Sequence, residues 1–576
     1  MEFSEVIEKH MVDNVFLVKG PRQPQKGTLV LVGHHMIFSS SASGNGGKTS
    51  DELWLLHRAV DRVLVEPISR DQNGVKIGGY LKLKCKNFMI CMFEFASYED
   101  CAAVGRSIET LSNLSGIEHD YPFYYRCPFN VLDDGWSAFD TEQDFARLFI
   151  RCPDRWRISS VNKGFTVCSS YPETVIVPKG IGDDYLKISA SFRDGGRFPV
   201  LSYYHNETKS CIMRCGQPLV GPTGRRCRED FEILRSLLVN NKGYIVDTRT
   251  KQQAQNAKSK GGGFELNYVN WNYMNCPVPR VKDLHEALAR LMEICNESNV
   301  GADRWMSKLI GSGWLQGITD TITAAATIAQ FVHCEGSKSS TEVPVVVHGG
   351  EGLDSTLLAS SLAQLILDPD ARTVRGFEAL IEREWITAGH PFTLRCAHSA
   401  YATGGLTGPQ EGPVFLCFLD CVWQIYQQYP CSFEFTEEFL IFLFEHSYAS
   451  EFGSFLGNNE NEKKDYGVKK RTVSLWSYVN NPEVLRTYVN ALYEPNEGVL
   501  WPSVSPQSIV LWERLYFRWQ RNWSEIDAAK NMVMQWKSKE KELQTKVALL
   551  RRQVQELSKD GQLQTQSQLQ QLQIRN

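Results

Sequence analysis

The sequence predicts a multidomain α+β protein in which two folded regions precede one long helix. Residues 1 to about 115 contain apolar runs of strand length, followed by a single stretch with helical spacing. The central region, which extends to about residue 506, contains a β-branched strand, a glycine-rich loop and a helix in succession. After residue 521 apolar residues recur every seven positions, which is typical of a coiled coil.

Length, composition and charge restrict the class of protein. A chain of 576 residues with 42% hydrophobic and 22% charged residues is long enough for two or three domains with large cores. A net charge of −4 argues against nucleic acid as a partner. No apolar stretch approaches the roughly 18 residues of a membrane span, and the N-terminus lacks the apolar run of a signal peptide. We therefore expect a cytoplasmic protein whose contact with membranes is peripheral.

The 16 cysteines indicate neither disulfides nor a metal site. They are scattered along the chain, and none forms the Cys-X2-Cys pair of a zinc ribbon. Reduced thiols that pack as small hydrophobic side chains are the simpler interpretation. We expect no metal and no cofactor.

The N-terminal region is predicted to be a small barrel of strands closed by one helix. Residues Gly27–Ser40 contain two apolar runs around a Gly-His-His turn, which indicates a hairpin. Further strands are expected near Trp54 and within Gly78–Phe95. The helix is expected over Tyr98–Leu114, where apolar residues recur at helical spacing.

Three lysines of this region are candidates for a lipid contact. Lys82, Lys84 and Lys86 alternate with apolar residues, so their ammonium groups are expected on one face of a strand. Near an anionic membrane surface each lysine would contribute about 1 kcal/mol, which suits a weak phosphoinositide contact. A solvated outer strand face is the alternative interpretation.

The central region is organised around residues Val345–Leu367, VVVHGGEGLDSTLLASSLAQLIL. Three consecutive valines predict a buried strand, and the glycines that follow permit a tight loop. Leucines then recur at helical spacing from Ser355, and Pro369 is expected to end the helix. Because the first amides of a helix point into such a loop, the arrangement predicts an anion cradle.

The same stretch resembles the Cys-X5-Arg loop of the myotubularin-related lipid phosphatases, whose pattern is His-Cys-Ser-Asp-Gly-Trp-Asp-Arg-Thr. Here glycine stands where the family has its nucleophilic cysteine, and serine where it has its phosphate-binding arginine. Glycine cannot form a phosphoenzyme, and a serine hydroxyl cannot replace a bidentate cation. The resemblance therefore implies a pseudophosphatase with no catalytic residue. The degenerate loop consists of His348, Gly349, Gly350, Glu351, Gly352, Leu353, Asp354, Ser355 and Thr356.

Two acidic residues of the loop remain in place. The resemblance puts Glu351 at the position of the family's general acid, and Asp354 at that of a second aspartate. Asp354 could cap the helix that follows, and its side chain could hold the loop together or contact a ligand. Both carboxylates would repel a phosphorylated head group, although the backbone amides could retain weak phosphate binding.

Other segments resemble the same family in the family's order. The N-terminal region resembles its PH-GRAM domain, and the matches after it imply an α/β cysteine-phosphatase-like domain over residues 121–506. The segment GGGFE alone is a weak signal, more typical of a turn than of a phosphate loop. The matching segments are Tyr121–Arg126, Trp156–Asn162, Tyr171–Ile181, Gly195–His205, Met213–Gly221, Tyr244–Arg249, Gly261–Glu265, Arg372–Trp385, Pro413–Gln424, Phe433–Leu440 and Thr472–Asn480.

Residues 521–558 are predicted to form a coiled coil, a helix whose stripe of a and d positions, called the seam, is roughly 48 Å long. The a positions are Ile526, Val533, Glu540, Val547 and Val554, and the d positions are Ala529, Trp536, Leu543, Leu550 and Leu557. The stripe is narrow, which favours an intermolecular coil, although it could also fold back on the main domain. Val at a and Leu at d favour a parallel pair. Glu540 disfavours self-pairing and favours a partner with Lys or Arg opposite. The glutamine-rich residues 559–576 are expected to be disordered.

Three functions remain open at this point. In the first, the chain is a regulatory subunit whose coiled coil binds active myotubularin-related phosphatases and modulates their stability, activity or membrane recruitment. The resemblance implies active members numbered six to eight as partners, 3-phosphoinositides as substrates of the complex, and peripheral association with endomembranes. Pairing of identical chains stays open. The second function is an active phosphatase with a relocated nucleophile, and the third is a stand-alone phosphoinositide-binding module.

Overall fold

The described residues of the computed structural model form three sheets and a long C-terminal helix. The structure describes residues 3–19, 24–40, 52–70, 76–140, 145, 146, 148, 152, 154–239, 242–265, 268–297, 301–335, 342–402 and 410–573.

The N-terminal domain is a seven-stranded antiparallel sheet with one long helix. Its elements are α1 (Phe3–Val6), β1 (Met11–Lys19), β2 (Gln25–Leu31), β3 (His35–Ser40), β4 (Glu52–Leu56), β5 (Val60–Arg70), β6 (Lys76–Cys85), β7 (Ile90–Phe95) and α2 (Tyr98–Ser112). The strand order is β4-β3-β2-β1-β7-β6-β5. The predicted hairpin is formed by β2 and β3, in which Leu29 pairs with Phe38. Helix α2 starts at the N-cap Ser97 and buries Val104 and Ile108 in the core. The predicted strands and closing helix are confirmed.

The second domain is built on a five-stranded sheet of order β10-β11-β14-β12-β13. The central strand β14 is parallel to both of its neighbours, and only β10 runs antiparallel. Strands β8 and β9 pair separately. The strands are β8 (Trp156–Ser159), β9 (Val175–Pro178), β10 (Val200–Tyr204), β11 (Cys211–Arg214), β12 (Gly243–Asp247), β13 (Trp271–Asn275) and β14 (Pro344–His348).

Helices surround this sheet and form the largest hydrophobic core. They are α3 (Asp183–Phe192), α4 (Arg228–Leu237), α5 (Lys251–Ser259), α6 (Val281–Cys295), α7 (Ala302–Ser312), α8 (Trp314–Gln330), α9 (Ser355–Leu367), α10 (Val374–Ile381), α11 (Phe392–Arg395), α12 (Val414–Gln428), α13 (Glu437–Tyr448), α14 (Glu460–Asp465), α15 (Val468–Arg471), α16 (Leu475–Val479), α17 (Pro482–Tyr488) and α18 (Glu513–Tyr516). Helix α9 packs between α8 and α12, and every residue after its first is buried. The predicted α/β architecture is confirmed.

The turn after β6 joins the two domains. Phe88 leaves the N-terminal sheet and packs its ring against Phe444 and Tyr516, with centroid distances of 5.2 and 5.8 Å. The carboxylate of Asp61 accepts hydrogen bonds of 2.9 Å from the backbone amides of Ser399 and Tyr401. The domains are therefore connected by buried polar and aromatic contacts.

The C-terminal helix α19 spans Ser524–Gln573. It begins where the coiled coil was predicted but continues well beyond residue 558, so the prediction of a disordered tail is wrong for residues 559–573. Gln, Leu and Lys are good helix formers, and a helix that has already nucleated extends at little cost through such a sequence. Residues 574–576 and the side chain of Leu557 lie outside the described part of the chain. No helix in the described ranges is both long enough and apolar enough to cross a membrane.

Candidate functional site

The predicted strand, loop and helix are present at the centre of the second domain. Strand β14 is buried at all five positions and ends at His348, and α9 begins at Ser355. Gly352 has a positive φ of 78°, and a Cβ atom there would lie 2.4 Å from the carbonyl oxygen of Cys215. Only glycine fits this turn. The amide of Gln217 donates a 2.8 Å hydrogen bond to the carbonyl of Gly350 and fixes the loop to the end of β11.

Residue 349, where the family resemblance places the nucleophile, has hydroxyl groups packed directly against it. A Cβ atom on Gly349 would lie 2.6 Å from Thr248 Oγ1 and 2.9 Å from Ser355 Oγ. These two oxygens are hydrogen-bonded to each other at 2.7 Å. The space for a nucleophilic side chain is thus closed by residues of β12's end and α9's start.

His348 is held by a network of buried charged side chains. Its Nε2 atom lies 2.8 Å from Glu265 Oε2, and Arg193 Nη1 donates to the other oxygen of Glu265 at 2.6 Å. Arg193 also makes a bidentate pair with Asp230 at 2.8 and 2.7 Å. Ser189 adds a 2.7 Å hydrogen bond to that carboxylate. All four charged side chains are almost fully shielded from solvent.

The pKa values of Glu265 and His348 are shifted by their charged neighbours. Burial alone would raise the pKa of Glu265, but His348 and Arg193 outweigh it and hold the pKa far below its usual value. Burial likewise opposes the charged form of His348, yet the carboxylates of Glu265 and Asp247 raise its pKa overall. Both shifts favour an imidazolium paired with a carboxylate at the end of β14.

Asp354 does not cap α9, contrary to one interpretation of the sequence. It has a positive φ of 48° and makes no capping hydrogen bond. Instead its carboxylate accepts a bidentate pair from Arg395 at 3.0 and 2.7 Å, and His390 Nδ1 lies 3.3 Å away. Although burial opposes ionisation, these partners lower the pKa of Asp354. The side chain holds the loop together, which was another of the interpretations.

Glu351 stays exposed at the rim of the loop. Partial desolvation raises its pKa, and the nearby carboxylates of Asp194 and Asp354 raise it further. A carboxyl group in this setting holds a proton more tightly than usual, as a general acid would require. With no side chain at residue 349, however, the loop contains no phosphocysteine for it to act on.

The arginines around the loop are all bonded to protein acceptors. Arg197 is buried and donates to the carbonyls of Gly352 and Ala388, while its guanidinium stacks 4.3 Å from the ring of Tyr171. Arg249 makes a bidentate pair with Asp247 at 2.9 and 2.7 Å. Arg197 thus supports the backbone of the loop, and Arg249 is paired with Asp247. Neither guanidinium is as available to a phosphate group as an arginine at residue 355 would be.

The described heptad positions of α19 face solvent. Seven large apolar side chains of the seam are between 44% and 64% exposed. They are Ile526, Val533, Trp536, Leu543, Val547, Leu550 and Val554. Glu540 forms an ion pair of 3.1 Å with Lys537, one turn earlier. The alternative that this stripe folds back on the main domain is therefore not what the structure shows. An apolar stripe of this length without a cover is typical of an interaction surface.

The predicted lysine face is wrong at Lys86. This residue follows the end of β6 and is only 1% exposed. Burial and the neighbouring Arg58 lower the pKa of Lys86 to about 7. Lys84 is half-buried with its ammonium 5.0 Å from the ring centre of Tyr401, whereas Lys82 is exposed. The turn that inserts Phe88 into the second domain pulls Lys86 inward, so only Lys82 retains the position that a lipid contact requires.

One group of described residues has the composition of a metal site. Three potential ligand atoms lie within 4.8 Å of one another, on His205 and Glu207 in the turn between β10 and β11 and on His333, which follows α8. His205 Nδ1 already accepts a 3.3 Å hydrogen bond from the amide of Thr208. Three such atoms, one of them on an exposed glutamate, do not by themselves indicate an ion.

Sequence reasoning missed the residues that contact the loop but lie far from it in the sequence. Thr248 and Glu265 belong to segments that were recognised as matches, but neither was assigned a role. Arg395, the partner of Asp354, gave no signal. A signal did exist for Glu265, because its carboxylate ends the GGGFE segment and buried charges need partners.

Comparisons with known proteins agree with this architecture. The family model described as "Myotubularin-like phosphatase domain" matches residues 120–464, and "MTMR6-9, GRAM domain" matches residues 11–112. The chain is 57% identical to "Myotubularin-related protein 9" of Caenorhabditis elegans and 48% identical to that of Homo sapiens, each over 97% of this chain and 99% of the relative. It is 34% identical to "Phosphatidylinositol-3,5-bisphosphate 3-phosphatase MTMR8" of Gallus gallus, over 90% of this chain and 80% of that protein.

Proposed function

The chain belongs to the myotubularin-related family, and on that premise we propose that it is a catalytically inactive member that serves active members as a regulatory subunit. The observation that carries this proposal is the state of residue 349. A phosphoenzyme requires a nucleophilic side chain there, and the 2.7 Å hydrogen bond between Thr248 and Ser355 lies against the glycine instead. Ser355 also leaves the loop without the arginine that would clamp a phosphate.

A relocated nucleophile is a poor alternative. The cysteine beside the loop is Cys215, whose thiol is fully buried. Burial raises its pKa to about 12, so the thiolate that must attack phosphorus is absent near neutral pH. Cys431 is the one exposed cysteine, and it lies in the turn after α12 rather than beside the loop. These features support an inactive loop.

The exposed seam of α19 supports the second half of the proposal. Its partners would be active members of the family, such as the relatives whose names include MTMR6 and MTMR8 and give phosphatidylinositol 3,5-bisphosphate as their substrate. Binding would modulate the stability, activity or membrane recruitment of the partner. Any ligand that binds only the folded state of a protein stabilises it by mass action. The complex would then work in the cytoplasm and at the surface of endomembranes.

The stand-alone lipid module finds less support. Lys86 is buried and Lys84 is engaged with Tyr401, so the proposed lipid-binding strand face is reduced to Lys82. If this function were nevertheless correct, deletion of α19 would leave membrane localisation intact.

The decisive experiment is affinity purification of the full chain and of a variant that lacks residues 521–576, followed by a phosphatase assay. We expect the full chain to capture an active myotubularin-related phosphatase and the truncated variant to lose it. The recovered complex should hydrolyse 3-phosphoinositides, and the chain alone should not.

Two results would contradict the proposal. Hydrolysis by the purified chain alone, abolished by one substitution within it, would establish an active enzyme. Equal capture of the active phosphatase by the truncated variant would exclude α19 as the binding element. As a control for folding, the truncated variant should still show a cooperative thermal transition of the main body.

A further inference from the structure

The positions that flank the seam of α19 carry charge of a single sign. In the heptad defined above, residues at e and g lie on either side of the a and d stripe and face the partner helix. Between residues 532 and 553 these positions hold four cations, two neutral amides and a methionine, and no anion. They are Met532, Lys537, Lys539, Gln544, Lys546, Arg551 and Gln553.

The chain itself does little to neutralise these cations. Lys537 pairs with Glu540 at 3.1 Å and Lys546 with Glu542 at 2.7 Å, but all four side chains are about half exposed or more. Exposed pairs of this kind are weak and exchange readily with other partners. Lys539 and Arg551 are exposed and make no ion pair within the described ranges. The basic flanks therefore remain available to a second helix.

Lys530, at the e position nearest the body, behaves differently. Its ammonium lies 3.0 Å from Glu437 and 3.8 Å from Glu438 on α13. This pair anchors the base of α19 to the domain. The basic stretch that can face a partner consequently begins at Lys537.

Two copies of this helix would repel each other. In a parallel pair, g contacts e of the next heptad on the partner, so Lys546 would face Arg551 twice. In an antiparallel pair, e faces e and g faces g, and cations meet again. In the parallel register Glu540 would also meet its own copy within the seam. Like charges in these places oppose pairing.

We propose that α19 selects a partner helix whose e and g positions are acidic and which offers Lys or Arg opposite Glu540. This proposal rests on the proposed function and adds the chemistry by which the partner is recognised. The apolar seam supplies the contact area, and the flanking charges determine which helix is accepted and exclude a second copy of this chain.

Two synthetic peptides test this proposal against the full-length chain. Both have Val at a, Leu at d and one Lys opposite residue 540, and they differ only in carrying Glu or Lys at every e and g position. Fluorescence anisotropy at low salt should show the acidic peptide binding at least about tenfold more tightly. The preference should shrink as salt is added, because exposed charges are screened.

A matched variant gives the converse result. In the full chain with Lys537→Glu, Lys539→Glu, Lys546→Glu and Arg551→Glu, the basic peptide should bind more tightly than the acidic one. Circular dichroism establishes that the variant remains folded and helical, which the exposure of these four side chains predicts. Equal binding of both peptides, or binding of neither by a folded chain, would overturn the proposal.

The outcome separates this proposal from the one on which it rests. If the chain captures an active phosphatase through α19 but shows no preference for the acidic peptide, the charge rule fails and the regulatory function stands. If the acidic peptide is preferred but no active phosphatase is captured, the charge rule stands and the proposed partner class fails.

Discussion

Thr248 and Ser355 share a hydrogen bond across the space that a side chain on residue 349 would need. Glycine at this residue is therefore part of the packing of the loop, and it provides no side chain that could act as a nucleophile. Adding atoms to a filled space forces neighbouring side chains out of their preferred rotamers.

The first prediction concerns Gly349→Ala. We expect it to lower the free energy of unfolding by about 1–3 kcal/mol, because the new Cβ atom would lie 2.6 Å from Thr248 Oγ1. Adding Thr248→Ala should recover part of that loss by removing the clashing oxygen. Urea denaturation of the two single variants and the double variant measures this coupling.

Gly350→Ala is the matched control. No atom lies within 4 Å of a Cβ atom built on Gly350, so this substitution should leave stability nearly unchanged. If Ala at residue 349 were tolerated as well as Ala at residue 350, the closed geometry described for the loop would be wrong.

The second prediction is a pH dependence that arises at His348. Its folded pKa is raised above the usual value of about 6.5, mainly by Glu265 acting against burial. A group whose pKa is raised on folding stabilises the protein fully below its unfolded pKa, and the contribution is lost as the pH rises through the folded pKa. The stability difference between the wild type and His348→Gln should therefore be largest below about pH 6.5 and decline above it.

Denaturant titrations from acidic to alkaline pH measure that difference. NMR titration of the His348 ring in the wild type gives an independent reading and does not require the variant to fold. A stability difference that does not vary with pH, or a ring that titrates below 6.5, would show that the charged pair with Glu265 does not form.

At the scale of elements, local patterns could be read from the sequence and distant contacts could not. A run of valines, three glycines and periodic leucines were sufficient to locate β14, the loop and α9. The groups that close the loop come from other elements. Thr248 is 107 residues from Ser355, Glu265 is 83 residues from His348, and Arg395 is 41 residues from Asp354. No spacing rule connects such pairs.

Two errors of the sequence interpretation have local causes. The alternation of lysines predicted a continuous strand face, but β6 ends at Cys85 and the turn that follows buries Lys86. The glutamine-rich tail lost its heptad register, which suggested disorder, yet its residues favour helix and α19 continues to Gln573. A segment that loses its heptad register can therefore remain helical.

The third prediction belongs to α19. Replacing Leu543, Val547 and Leu550 with Glu should abolish capture of the active phosphatase without lowering the thermal stability of the chain, because these side chains are 46–61% exposed and unpartnered in the free protein. Co-purification and differential scanning calorimetry give the two readouts. Retained capture would show that the partner binds elsewhere, and a lower transition temperature would show that the seam packs within the chain.

At the scale of the whole molecule, the two domains share buried contacts rather than a flexible linker. Phe88 from the N-terminal domain lies in the core of the second, and Asp61 is bonded to the backbone of residues 399 and 401. Such contacts couple the unfolding of neighbouring domains.

The fourth prediction follows from this coupling. Calorimetry of the wild type should show one cooperative transition that includes both domains. Phe88→Ala should lower the free energy of unfolding by about 3–5 kcal/mol, since it removes a fully buried aromatic ring. Substitution of the exposed Phe16, which is 38% accessible in the N-terminal sheet, is the control and should cost much less. Two well-separated transitions in the wild type would contradict the coupling.

Trp519, which precedes α19, packs against the cores of both domains, and its indole nitrogen donates a 2.9 Å hydrogen bond to the carbonyl of Asn87. The base of the helix is therefore fixed at the junction of the two domains. If an enzyme binds α19 as proposed, the helix holds it in a fixed orientation relative to the N-terminal sheet. The chain would then determine the orientation of its partner as well as its proximity.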